Sequence, residues 1–165
     1  MISSETETLL THLNDQRRHV QGIVAGLSEA DLRRPVLPSG WSCLGLVRHL
    51  ALDVEQFWFR AVVAGDRAVI DGLDQAGDAW QVGSDLPAEA VLSRYRREID
   101  AANAVIAATP LQAAPLWWPE WFADWHLRTL REVVLHVITE TACHAGHLDA
   151  ARELIDGRRW LVLTR

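Results

Sequence analysis

Histidine, glutamate and cysteine are the side chains here that could do chemistry, and along LREVVLHVITETACHAGHLDAARELID their spacing is ordered. With about 100° of turn per residue and His136 set at zero, Glu140 falls near 40°, His144 near 80° and His147 near 20°. All four share one face. Val133 and Ala151 fall at about 60°, Val137 and Ile155 at about 100°, and Leu130 and Leu148 at about 120°, so the polar stripe runs along the apolar, inward side of the helix. A carboxylate and several imidazoles are costly to desolvate unless they are paired, hydrogen-bonded or bound to a metal. Glu140 and His144, four residues apart, stand one above the other and suit two ligands of a single divalent ion.

A third ligand has to come from a facing element. His49 lies on the core side of the segment SCLGLVRHLALDVEQFWFRAVVA, and Asp53, one turn on, is placed to orient its ring. Three protein ligands would leave positions open for water or substrate, the arrangement of a catalytic rather than a structural metal site. His147 shares the face and stands as an alternative or a supplement to Glu140, or as a nearby acid or base. His136, two turns before His144, fits a hydrogen-bonded core residue. His12, His19 and His126 fall at solvent or loop positions. Cys143 lies about 100° from His144 around the helix, on another face.

Four long helices must position these groups. Helix one begins with a capping box in which Ser4 caps and Glu7 reaches back, and it carries Leu9, Leu10, Leu13, Val20, Ile23, Val24 and Leu27 on one side. The stretch RRPVLPSGW reads as a connection. Helix two runs from Ser42, its cap, to Ala64, and Gly65 stops it. The polar segment that follows, GDRAVIDGLDQAGDAWQVGSDLP, has no sustained period and reads as a long surface excursion. Pro87 suits the first turn of helix three, with Leu92, Tyr95, Ile99, Ala102, Val105 and Ile106 as its apolar set. A second irregular connection, LQAAPLWWPEWFADWHLR, leads to the capping box of Thr129 and Glu132, and helix four extends to Asp156 before Gly157. Only Trp160–Thr164 has a strand-like character. The expectation is a single all-α domain over residues 1–165, a four-helix bundle of antiparallel type, with long loops between helices two and three and before helix four.

Composition narrows the function. The net charge of −6 opposes phosphate backbones, and the basic residues come only in pairs, so no nucleic-acid partner is expected. Two cysteines without CxxC spacing suggest neither a disulfide framework nor a thiolate cluster, and a reducing compartment fits. MISSETETLL lacks the basic and apolar regions of a leader, and no apolar run reaches the roughly 18 residues of a membrane span, so a cytoplasmic protein with no membrane partner is expected. Eight tryptophans against one tyrosine are unusual. Trp117, Trp118, Trp121 and Trp125 fall together just before helix four.

The two segments GWSCLGLVRHLALDVEQFWFRAVVAGD and TLREVVLHVITETACHAGHLDAARELIDG resemble the DinB-like superfamily of metalloenzymes, nearest its mini-circle branch and the N-terminal domain of mycothiol-dependent maleylpyruvate isomerase. The resemblance implies a four-helix bundle whose metal is held by a His on helix two and a pair spaced by four on the last helix, here His49, Glu140 and His144. Many relatives have His where this chain has Glu140. The sequence ExxxHAGH resembles the His-Glu-His subgroup, a ligand set that accepts zinc, nickel, iron or manganese, zinc foremost. Relatives activate a low-molecular-weight thiol, mycothiol or bacillithiol, for isomerisation or S-transfer to a small electrophile, which implies a role for this chain in detoxification or secondary metabolism. By that likeness His147 or Glu55 would handle protons. Trp117, Trp118, Trp121 and Trp125 would either wall the pocket of an apolar substrate or pack as a hydrophobic patch beneath the long loop. An open metal site activates water as readily as thiol, so a hydrolase is the competing enzyme reading. A non-catalytic ligand-binding or stress-response protein is the third. Pairing into a homodimer through a helix face is compatible with the fold.

Overall fold

Ser3, one residue ahead of the expected cap, opens α1 (Ser4–Val24): its hydroxyl accepts the Thr6 N–H at 3.1 Å. Ser4 is thereby the first helical residue. The computed structural model describes residues 3–75 and 77–162, and every regular element among them is helical. After α1 the chain makes a short helix, α2 (Glu29–Arg33), capped by Ser28, inside a connection expected to be irregular.

The helix expected from Ser42 is continuous but changes pitch at His49. Its first part, α3 (Cys43–His49), is capped by Ser42, whose hydroxyl accepts the Gly45 N–H at 3.1 Å. From there π-helical turns run over Leu50–Val63. In such turns each N–H bonds five residues back, so the helix is wider and residues four apart stay nearly in line. Burial follows that period, with Leu50, Val54, Trp58 and Val62 in one row and Ala51, Glu55, Phe59 and Val63 in the next. In an α-helix such rows would drift by about 40° at each step and leave the core.

The excursion after Val63 is less loose than its composition suggests. It contains α4 (Arg67–Gly72), capped by Asp66, and a 3₁₀ turn at Leu73–Gln75. Next comes α5 (Ala88–Ala108), preceded by Pro87. A second 3₁₀ turn (Glu120–Phe122) interrupts the tryptophan-rich connection. Thr129 caps the last helix, α6 (Leu130–Asp156), and Gly157 closes it at φ 76°. Trp160 and Leu161 donate their backbone N–H groups to Asp149 at 2.7 and 3.0 Å, so the expected tail strand is replaced by a turn held to α6. Its remaining residues, 163 and 164, lie outside the described residues.

Side-chain pairings fix the directions of the helices. Glu5 bonds Arg131 and the Ile23 carbonyl accepts from Arg152, so α1 and α6 run parallel. Ala51 and Val91 line one cleft and Arg60 pairs with Glu98, so the π-helical stretch and α5 also run parallel. His49 faces His144 and Trp58 faces His136, which sets the two parallel pairs antiparallel to each other. The helices are thus parallel within each pair and antiparallel between pairs. A helix the length of Cys43–Val63 is about 30 Å long, and the connection through α4 carries the chain back along it before α5 begins. The closest pairings are α1 with α6 and the π-helical stretch with α5.

Candidate metal centre

Where the π-helical turns begin, α3 delivers His49 to the middle of α6. His49, Glu140 and His144 each bring one ligand atom to a common place, all within 4.8 Å of one another, the one such group of three among the described residues. His144 Nε2 stands 3.7 Å from Glu140 Oε2, and the rings of His49 and His144 meet edge to face at 5.1 Å. All three side chains are half-buried. A set of two imidazoles and one carboxylate with this spacing suits a divalent ion with an open position.

The protonation states suit the same use. Burial, reinforced by His49, holds the His144 imidazole down at about 4, so at neutral pH it is uncharged and has a lone pair to give. His49 Nδ1 donates to Asp53 Oδ2 at 2.8 Å. A carboxylate can only accept, so Nδ1 carries the hydrogen and Nε2 is left free as a donor atom, as Asp53 was expected to arrange. His147 is exposed and lies on the other side of His144, its Nδ1 3.5 Å from His144 Nδ1. It is therefore a neighbour of the site rather than one of the three convergent groups.

Trp80 is a participant that sequence reasoning missed. Its ring stacks on His49 at 4.3 Å with 19° between planes and meets His144 edge-on at 5.8 Å. Two features of α3 hold it there. Arg48 donates to the Asp78 and Gln81 carbonyls at 2.8 and 3.0 Å, and the Trp80 carbonyl lies where a Cβ on residue 45 would be, 2.3 Å from that position. Only glycine permits this approach. A lone tryptophan in an otherwise polar excursion was the available signal. Trp41, whose ring lies 6.4 Å from that of His147, flanks the opposite side.

Glu55 is not brought to this place. Arg17 clamps both its oxygens, Nε at 2.7 Å and Nη2 at 2.6 Å, and the two side chains are 1% and 0% exposed. Burial pushes the Glu55 carboxyl above its ordinary value against the pull of Arg17. It is a core ion-pair partner, and the expectation that it handles protons at the metal is corrected. Neither cysteine joins the triad: Cys43 is buried, with its thiol pushed up to about 11, and Cys143 is exposed.

The tryptophans ahead of α6 form a lobe beside the triad. Leu116 and Trp117 donate their N–H groups to the carbonyls of Val63 and Val62, anchoring the lobe on the last π turn. Trp118 packs on His126 at 4.2 Å, and Trp58 and Trp125 enclose His136 at 4.8 and 5.4 Å. Of the four tryptophans expected to wall a pocket, Trp121 lines an open cleft of about 400 Å³, together with Asp53, Phe57, Leu73, Asp74 and Phe122. Trp117, Trp118 and Trp125 pack behind it. Asp53 thus touches His49 and the cleft at once. A larger cavity, about 720 Å³, lies where α1 begins and α5 ends, and among the described residues Glu5 is the sole titratable one in its lining.

Compared with known proteins, residues 8–157 match a family model described as Mycothiol-S-transferase. No curated protein and no solved structure matches the chain. The match covers nearly the whole sequence and supports the DinB-like relationship that the two helical segments suggested.

Proposed function

The chain belongs to the mycothiol-S-transferase family, and we propose that it is a divalent-metal-dependent enzyme that activates a low-molecular-weight thiol of the mycothiol type for transfer to a small electrophile. We read its helices as the DinB-like four-helix bundle, with zinc the best-suited ion and nickel, iron or manganese compatible with the same donors. The single observation that supports this most is the convergence of His49, Glu140 and His144 within 4.8 Å.

A divalent ion bound there supplies Lewis acidity, lowering the pKa of a coordinated thiol. The remaining work belongs to the chain. Asp53 holds the His49 ring with Nε2 facing inward. Trp80 covers the face of that ring and keeps water from it. His147, exposed and adjoining His144, takes up the thiol proton and passes it to solvent. The aromatic cleft beyond Asp53 receives the electrophile.

Consumption of a model electrophile should depend on added mycothiol and on metal, and His49→Ala should abolish the dependence. Equal rates for the two proteins would overturn the proposal, and turnover without any thiol would favour metal-assisted hydrolysis.

A further inference from the structure

The cleft next to the metal centre has a charge character that the family relationship does not specify. Three rings surround it: Phe57 and Trp121 at 6.4 Å and 35°, Phe57 and Phe122 at 6.0 Å and 89°, Trp121 and Phe122 at 6.1 Å and 63°. The first pair is tilted and the other two pack edge to face, so the three rings form one contiguous aromatic lining of the cleft. Trp121 is 61% exposed, a large apolar surface left uncovered on the cleft side of the lobe. The polar residues in the lining are Asp53 and Asp74, and among the described residues no Arg, Lys or His lines it. The net charge of −6 adds to the same sign of field.

Aromatic faces carry negative potential, and a set of them with carboxylates at the rim recognises a cation, most of all a quaternary or protonated amine. A carboxylate-bearing ligand would meet two like charges in the same space. From this we infer that the cleft of Asp53, Phe57, Asp74, Trp121 and Phe122 selects for a cationic, amine-bearing substrate group and against an anionic one. The inference rests on reading this cleft as the electrophile side of the metal centre. The ammonium group sits over the rings of Phe57 and Trp121 with Asp74 beside it, and the reactive end extends past Asp53 toward His49.

Three probes of one shape and different charge test it: choline, 3,3-dimethylbutan-1-ol and 3,3-dimethylbutanoate. Binding is followed by tryptophan fluorescence and calorimetry on the full chain with and without metal. Choline should bind about fivefold or more tighter than the neutral alcohol, consistent with a cation over aromatic rings, while the carboxylate should not bind measurably. Asp74→Asn should weaken choline several-fold and leave the alcohol unchanged, and Trp121→Ala should remove choline binding. Both substituted residues are exposed, so an unchanged melting temperature is expected to certify the fold. The choline preference should persist in metal-free protein, which separates it from any failure of the thiol-transfer reading. Equal affinity for choline and the alcohol would overturn the inference, as would tighter binding of the carboxylate.

Discussion

His144 is the residue on which the centre turns, because its two nitrogens face different groups. Nε2 looks toward Glu140 and Nδ1 toward His147. Helical spacing could not separate those two neighbours, since Glu140 and His147 differ by only about 20° around α6. Elemental analysis checks the assignment: His49→Ala, Glu140→Gln and His144→Ala should each lose stoichiometric metal, whereas His147→Ala should retain it. Retention by Glu140→Gln together with loss by His147→Ala would reverse their roles. Asp53→Asn keeps the shape of the side chain but weakens its hold on His49, and should lower metal affinity by about 10- to 100-fold in a chelator competition. The depressed His144 value also gives a pH dependence. Its folded-state value of about 4 lies below the ordinary 6.5, so the folded chain binds fewer protons at this site than the unfolded chain. The associated stability is present above about 6.5 and is lost as pH falls from there toward 4. The melting temperature of metal-free protein should therefore fall across that window, and His144→Gln should flatten the fall; parallel curves for the two proteins would refute it.

Elements explain why the centre is built at this point of the chain. The helix boundaries were legible where capping chemistry is local, as at Ser42, Thr129 and Gly157. Pitch was less so. The π-helical turns leave only a period of four among buried residues, and over a few turns that resembles the ordinary helical period. α2 and α4 are too short for periodicity to register, although Ser28 and Asp66 are recognisable caps. The excursion that holds Trp80 was read as surface because its composition is polar, yet Arg48 and Gly45 fix it to α3. Gly45→Ala would force the Trp80 carbonyl away. A loss of about 1–3 kcal/mol in stability is expected from such overpacking. Metal affinity should fall as well, because Trp80 would leave the His49 ring. Chemical denaturation and metal titration measure the two effects, and unchanged metal affinity would show that Trp80 is not needed to hold His49.

Across the whole molecule, the buried Arg17–Glu55 pair ties α1 to the π-helical stretch, and Asn103 brings in α5 through a 2.7 Å bond from Arg17. Removing one partner strands a charge in the core. Glu55→Gln or Arg17→Met alone should each cost roughly 3–5 kcal/mol, while the double replacement Arg17→Met with Glu55→Leu should recover most of that loss. Denaturant unfolding decides this, and additive losses would show that the pair is not coupled. The amino-acid sequence by itself determined that the chain is helical, where its long helices begin and end to within a few residues, and that α6 carries a polar stripe on an inward face. Those features depend on side chains a few residues apart, which is the range over which capping and periodicity act. Tertiary structure alone decided the rest. It set the parallel pairing of the helices, because direction depends on where a long connection returns the chain. It also sent Glu55 to Arg17 rather than to the triad, placed Trp80 over His49, and separated Glu140 from His147 around His144. Each of these joins residues from different elements, or tells apart two positions on one helix by what faces them, and no local pattern encodes either.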